Sequence, residues 1–379
     1  MATAALVIVL SVYNGIGEVT QSLFNLFDPQ LTIRPAEGKS FNTEDIDYQA
    51  ICALPQVEAV SQVVEENAWV TYRQNEAIVT LRGVDDQYAA VSGLDTAIYE
   101  GEYMLLDTAR ELNYLLLGAE LYYQLGLNSM IMRPVAVNIP KRGRSIGYSF
   151  EEAFNTSYAY PAGNFYIQKD IDSRYVVADI DFVRQLLDYS PTEVSSLSLS
   201  LRDGYSVAAA QRALQHILPE GRFTVLDRYQ QQPIYYKIFR SERLGIILIL
   251  SLIVLISTLN LVASLSLLIL DKRRDIFTLR SLGMPQRRLY QTFFLEGMLI
   301  TMVGVAVGLT AGFVLCALQQ HFGLIKMGGG DFVVSAFPVA MHGTDFLLTF
   351  FLVGGISSLS VALTVRRGLR STRQKASPR

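Results

Sequence analysis

The sequence predicts an integral membrane α-helical bundle of four spans, the first incomplete at the amino end, carrying a large α/β (α+β) extracytoplasmic domain of two lobes. Three observations predict it. Half of the 379 residues are apolar and only 18% are charged, with a mean hydropathy of +0.27, whereas a soluble chain carries about 25% charge. Uncharged runs long enough to cross a bilayer recur after residue 243. The charge is also unevenly placed. Residues 14–243 hold 19 Lys and Arg against 30 Asp and Glu, a net of −11; the remainder holds 13 against 5, a net of +8. High apolar content and only two cysteines exclude a disordered chain and a disulfide scaffold.

The strongest span is 244–270, in which 27 consecutive residues lack a formal charge. At about 1.5 Å per residue it reaches roughly 40 Å, beyond the hydrocarbon thickness of about 30 Å. Residues 292–318, uncharged from Gly297 onward, and 346–365 each supply a further span. Residues 1–13 open with a short apolar stretch that has no basic n-region and a poor cleavage site, so it is read as the outer half of a first span rather than a signal peptide.

Basic residues set the orientation. The 271–291 connector holds Lys272, Arg273, Arg274, Arg280, Arg287 and Arg288, and the 366–379 tail holds six more, against Lys326 alone in the 319–345 loop. Connector and tail are therefore expected in the cytoplasm, with 14–243 and 319–345 outside.

In the outer domain, 14–28 continues the first helix as a stalk and Pro29 ends it. Strands are expected at 30–34, 57–64, 69–72, 77–82, 135–139, 165–167, 175–178 and 223–226, with a half-buried alternating strand at 194–201. Helices are expected at 118–125, 180–187 and 206–218. The 141–163 stretch reads as polar and turn-rich. Strands interleaved with helices give the two-lobed α/β reading, with 84–171 as an inserted lobe.

No catalytic constellation is visible. His216, His321 and His342 have no Cys, Asp or Glu at metal-ligand spacing. Gly38-Lys39-Ser40 imitates the end of a phosphate-binding loop but has Ile33 where the leading Gly belongs.

Three features carry more. Gly304, Gly308 and Gly312 are spaced by four, which clears one helix face for close packing, or for sliding against a neighbour. Asn260 sits mid-span among Ser257, Thr258 and Ser264 and needs a partner or a wet cavity. In the connector, Ile276, Leu279 and Leu282 place an apolar stripe on a short basic helix closed by Gly283 and Pro285; such a stripe seeks lipid or a protein groove.

Leu270-Asp271-Lys272-Arg273-Arg274-Asp275-Ile276, Leu279-Arg280-Ser281-Leu282-Gly283 and Phe294-Leu295-Glu296-Gly297-Met298-Leu299-Ile300 together resemble the permease family with FtsX-like transmembrane domains. Within that family the resemblance is to the lipoprotein-releasing permeases LolC and LolE, with their MacB-like periplasmic domain. Val9-Leu10-Ser11-Val12-Tyr13-Asn14-Gly15 and Leu115-Leu116-Leu117-Gly118-Ala119-Glu120-Leu121 support it.

The resemblance implies an inner-membrane transport subunit, not an enzyme, paired with a second permease copy or paralogue and driven by a cytoplasmic ABC ATPase. That partner would bind ATP and Mg; this chain would bind no cofactor. Arg273, Arg274, Asp275, Ile276, Leu279, Arg280, Leu282 and Gly283 would form the coupling helix in the ATPase groove. Leu23, Phe24, Phe27, Ile253 and Ser257 would line an acyl-chain cavity open to membrane lipid. The cargo would be a lipoprotein passed to a periplasmic carrier, with 139–148 as the candidate docking hairpin and no role for nucleic acid. The alternatives are a MacB-type exporter of small molecules or peptides and an FtsX-type transmitter that regulates cell-wall hydrolases.

Overall fold

A computed structural model describes residues 1–128, 133–141, 153–326 and 336–374. It has two compact units: Met1–Thr20 with the chain from Tyr235 onward, and Gln21–Ile234. The candidate hairpin at 139–148 lies largely outside the described residues.

The Gln21–Ile234 unit is built on strands β1 (Leu31–Pro35), β2 (Phe41–Asn42), β3 (Val57–Tyr72), β4 (Asn75–Val84), β5 (Ile98–Gly101), β6 (Leu106–Asp107), β7 (Leu112–Gly118), β8 (Val135–Pro140), β9 (Phe154–Phe165), β10 (Tyr175–Asp179), β11 (Glu193–Val194), β12 (Ser196–Leu201) and β13 (Phe223–Asp227). Main-chain pairing runs β3–β4–β10–β7–β9–β8 and returns to β3, so six strands close into a ring. Closure satisfies backbone groups that an open sheet would leave at its edges. Val64, Val70, Leu81, Leu115, Val137 and Val176 share one core with Phe182, Val183 and Leu186 of the Ile180–Leu187 helix. Asp179 caps that helix, accepting the N–H groups of Asp181 and Phe182. Gly83 lets it approach: a Cβ there would sit 2.8 Å from the Val183 side chain.

A second core lies beside the ring. The antiparallel order β13–β1–β12–β3 places Leu31, Ile33, Leu197, Leu199 and Val225 against Ala210 and Leu214 of the Val207–Ile217 helix. The 16-residue β3 serves both cores, pairing with β12 through its first half and with β4 through its second.

Four expectations are revised here. The separate strands at 57–64 and 69–72 are one strand, since β4 pairs across the polar residues between them. All six residues of β12 are buried, because its serine face is covered by the Tyr88–Val91 turn of helix. The supposedly polar 141–163 stretch contains most of β9, where Ala159 is fully buried and Pro161 stands at a bulge opposite Leu115 and Leu116. The ring core draws on residues from Val64 to Leu187, a wider span than 84–171.

Asp172, 1% exposed, closes a tight turn by accepting the Ile167 N–H at 3.0 Å. Burial pushes its carboxyl up to about 7, while the N–H groups of Ile167 and Gln168 pull it down. The folded state therefore holds a proton that the unfolded chain has released. The associated stability is complete at low pH and is lost as pH rises through about 7. Asp172→Asn keeps the acceptor and removes the titration, so its melting point should vary less than the wild type's between pH 4.5 and 7.5, on the order of the window this shift defines. Parallel melting curves across that window would exclude the assignment.

Among the described residues four helices are long and apolar enough to cross a membrane: Ala2–Asn25, whose first 19 residues belong to the other unit, and Lys237–Asp271, Gln286–Phe322 and Gly343–Leu369, which lie wholly in it. Below they are the first to fourth helices. On the third, Gly297, Thr301, Val305, Gly308, Gly312 and Cys316 form the buried seam.

Candidate energy-coupling site

The connector after the second helix folds as Arg273–Ser281. Backbone bonds finish it, from the Gly283 N–H to Arg280 and from the Met284 N–H to Leu279, and Gly283 takes φ 89°, which a side chain would strain. Pro285 then starts the third helix.

Ile276 is 1% exposed and does not belong to an outward stripe. It enters a core with Leu265 and Ile269 of the second helix, Leu289 and Phe293 of the third, and Val361, Val365 and Leu369 of the fourth. The reason is angular. At 100° per residue, Leu279 and Leu282 stand 60° and 120° from Ile276 on one side, which turns them progressively outward when Ile276 points in (about 3.6 residues per turn). They are 37% and 79% exposed, and Phe277 on the opposite flank is 61% exposed.

Arg280 reaches back to the Leu369 carbonyl at 3.5 Å, while Asp275 pairs with Lys272 at 3.3 Å on the surface. Arg273 and Arg274 add exposed or half-exposed positive charge. The connector is thus an outward basic and apolar surface, anchored by Ile276 in a core that draws on three membrane helices and by Arg280 on the Leu369 carbonyl.

The glycine series divides. A Cβ on Gly308 would lie 2.6 Å from Thr3, and one on Gly312 3.0 Å from Val7, so both admit the first helix. Gly304 meets nothing within 4 Å, and Val305 takes its place on the seam. Gly308→Val should therefore loosen the first helix and lower the melting temperature by several degrees, a loss of about 1–3 kcal/mol from overpacking. Gly304→Ala should leave it unchanged; equal effects at the two positions would contradict this packing.

Asn260, Ile253 and Ser257 lie on an exposed face of the second helix. Leu23 is half-buried, but Phe24 and Phe27 are 9% and 1% exposed and so do not line an open cavity. Phe27 is held in the outer domain by Tyr175, centroids 4.6 Å apart, and by the Arg82 guanidinium 4.1 Å above its ring.

Sequence reasoning missed that node. Arg82 donates to the Tyr88 hydroxyl at 2.9 Å and to the Phe27 carbonyl at 3.4 Å, with Glu65 at 3.4 Å. Burial opposes its charge, but Tyr88, Glu65, Tyr175 and Asp28 outweigh burial and keep it protonated. Burial raises the neighbouring Asp28 carboxyl, against the pull of Arg82 and a hydrogen bond from Gln232. The available signal was an arginine ending the apolar run at 77–82.

The MacB-like periplasmic core domain matches residues 1–217, over half of the chain, and the FtsX-like permease C-terminal domain matches residues 247–372, which include the connector. The chain belongs to this ABC transporter permease family. The permease is similar to the lipoprotein-releasing system transmembrane protein LolC of Xylella fastidiosa, 22% identical over 86% of this chain and 79% of that protein. It is also similar to the macrolide export ATP-binding/permease protein MacB of Acinetobacter baylyi, 21% identical over 88% of this chain and 49% of that protein. The periplasmic region of MacB from Actinobacillus actinomycetemcomitans aligns at TM-score 0.39 and 13% identity, covering 58% of this chain and 97% of that one.

Proposed function

We propose that this permease is the membrane subunit of an ATP-driven complex that extracts lipoproteins from the outer leaflet of the inner membrane and hands them to a periplasmic carrier. The similarity to LolC carries the reading, because it extends over 86% of this chain and 79% of LolC, encompassing most of both units. Each acyl methylene held in lipid is stabilised by about 0.8 kcal/mol, so extraction of an acylated protein demands both an energy source and an apolar surface to replace lipid.

In this reading the connector faces the cytoplasm, as its basic residues favour. Leu279, Leu282 and Phe277 enter the groove of a separate ABC ATPase that binds ATP and Mg, and Ile276 passes the displacement to three helices at once. The permease works as a pair with a second copy or paralogue. The exposed face of the second helix at Ile253, Ser257 and Asn260 meets that partner or the acyl chains of the cargo. The similarity to MacB favours a second reading, export of a small molecule or peptide.

A release assay separates them. Proteoliposomes carrying the permease pair, its ATPase and a triacylated lipoprotein should pass the lipoprotein to a soluble carrier only with ATP. ATP turnover stimulated by small molecules, with lipoprotein retained, would favour export instead.

A further inference from the structure

Asp345 opens the fourth helix directly before the apolar run at 346–365, yet it is only 3% exposed. Its Oδ1 accepts from Arg243 Nη2 at 2.8 Å, and its Oδ2 accepts from Asn14 Nδ2. Asn14 belongs to the first helix, and Arg243 immediately precedes the uncharged run of the second. One carboxylate therefore joins three helices at the same edge of the apolar bundle.

Further contacts surround it. Glu18 and His342 approach to 3.2 Å. The Tyr13 hydroxyl donates to the Phe239 carbonyl at 2.6 Å, and the Ala340 N–H donates to the Ser11 carbonyl at 2.9 Å. Gly15 lies flush against the backbone of Pro338 and Val339, and a Cβ on Gly17 would meet the Phe239 ring at 2.7 Å. The first helix is thus held here by polar pairs, by the Tyr13 and Phe239 rings 5.0 Å apart, and by two glycines that admit close neighbours.

Buried, the carboxylate requires both donors, because an unpaired charge at a membrane boundary is costly. The Arg243 side chain is 45% exposed and can be hydrated when the pair parts. A displacement of the first helix along the fourth would remove Asn14, Glu18 and Ser11 from their partners together, so the contacts break as a unit.

We infer that Asp345, with Asn14 and Arg243, forms an outer latch that fastens the first helix to the second and fourth, and that nucleotide binding by the partner ATPase releases it. The geometry stands independently; the driving force rests on the ABC permease reading above.

The test uses the full permease with its ATPase in lipid nanodiscs, with Glu18→Cys and His342→Cys introduced and a short bifunctional thiol reagent added. Cross-linking should be high without nucleotide and several-fold lower with a non-hydrolysable ATP analogue. Asp345→Asn should lower the nucleotide-free yield and remove the response. Arg243→Asp combined with Asp345→Arg should restore both, and Asn14→Ala, which spares the ion pair, should give an intermediate loss.

An Asp345→Asn yield equal to that of the parent protein would overturn the latch. So would a yield indifferent to nucleotide in a sample whose ATPase demonstrably binds the analogue. Failure to recover any ATPase would instead remove the separate ATPase partner of the proposed function, and the Asp345→Asn comparison would still decide whether the latch exists.

Discussion

Exchanging Leu279 and Leu282 for Asp should abolish recovery of the ATPase with the permease while leaving the permease inserted and folded. Both side chains are substantially exposed, and neither belongs to the core that holds Ile276. The substitutions therefore cost the permease little by themselves. In an apolar groove they would bury two carboxylates without partners, and an uncompensated buried charge costs about 3–5 kcal/mol. Two such charges weaken association by several powers of ten at about 1.4 kcal/mol each.

Ile276→Asp supplies the contrast. It strikes the contact shared by three helices and should destabilise the membrane unit itself, seen as a lower melting temperature and poor recovery from detergent. Undiminished co-purification of the ATPase with the Leu279→Asp, Leu282→Asp protein would remove the connector from the coupling role.

Arg82→Met should destabilise the outer domain by about 3 kcal/mol, combining lost charged hydrogen bonds with lost stacking over aromatic rings. The guanidinium ties the Phe27 carbonyl and ring to β4 and to the Tyr88 hydroxyl. Arg82→Lys should recover only part of the loss, since an ammonium has no planar fork for the Tyr88 hydroxyl and the Phe27 carbonyl and no plane to stack on the Phe27 and Tyr175 rings. Trp69, the single tryptophan, lies in β3 of this unit and reports its unfolding by fluorescence in urea. A midpoint unchanged by Arg82→Met would show that the node does not hold the domain together.

The membrane part was legible because a span needs only length and apolarity, both read directly from 244–270, 292–318 and 346–365. Helix faces were less so. A spacing of four marks Gly304, Gly308 and Gly312 equally, but the seam drifts around the helix and takes Val305 in place of Gly304. The connector behaved similarly: Ile276, Leu279 and Leu282 read as one stripe, whereas the fold turns the first inward.

In the outer domain the short helices and several strands followed their periodicity. The ring closure did not, because β8 joins β3 to β9 across more than 60 residues and leaves no local pattern. The Asp345 node was invisible for the same reason, and of the Arg82 node only the arginine closing the apolar run at 77–82 could be seen. Each is assembled from single polar residues on distant elements, and sequence spacing carries no record of such meetings.

Mass spectrometry of the permease purified gently from native membranes tests lipoprotein release most directly. An ABC ATPase together with acylated lipoproteins is the expected result. An ATPase accompanied by cell-wall hydrolases and no acylated cargo would contradict lipoprotein release, and recovery without any ATPase would contradict the coupling role of the connector.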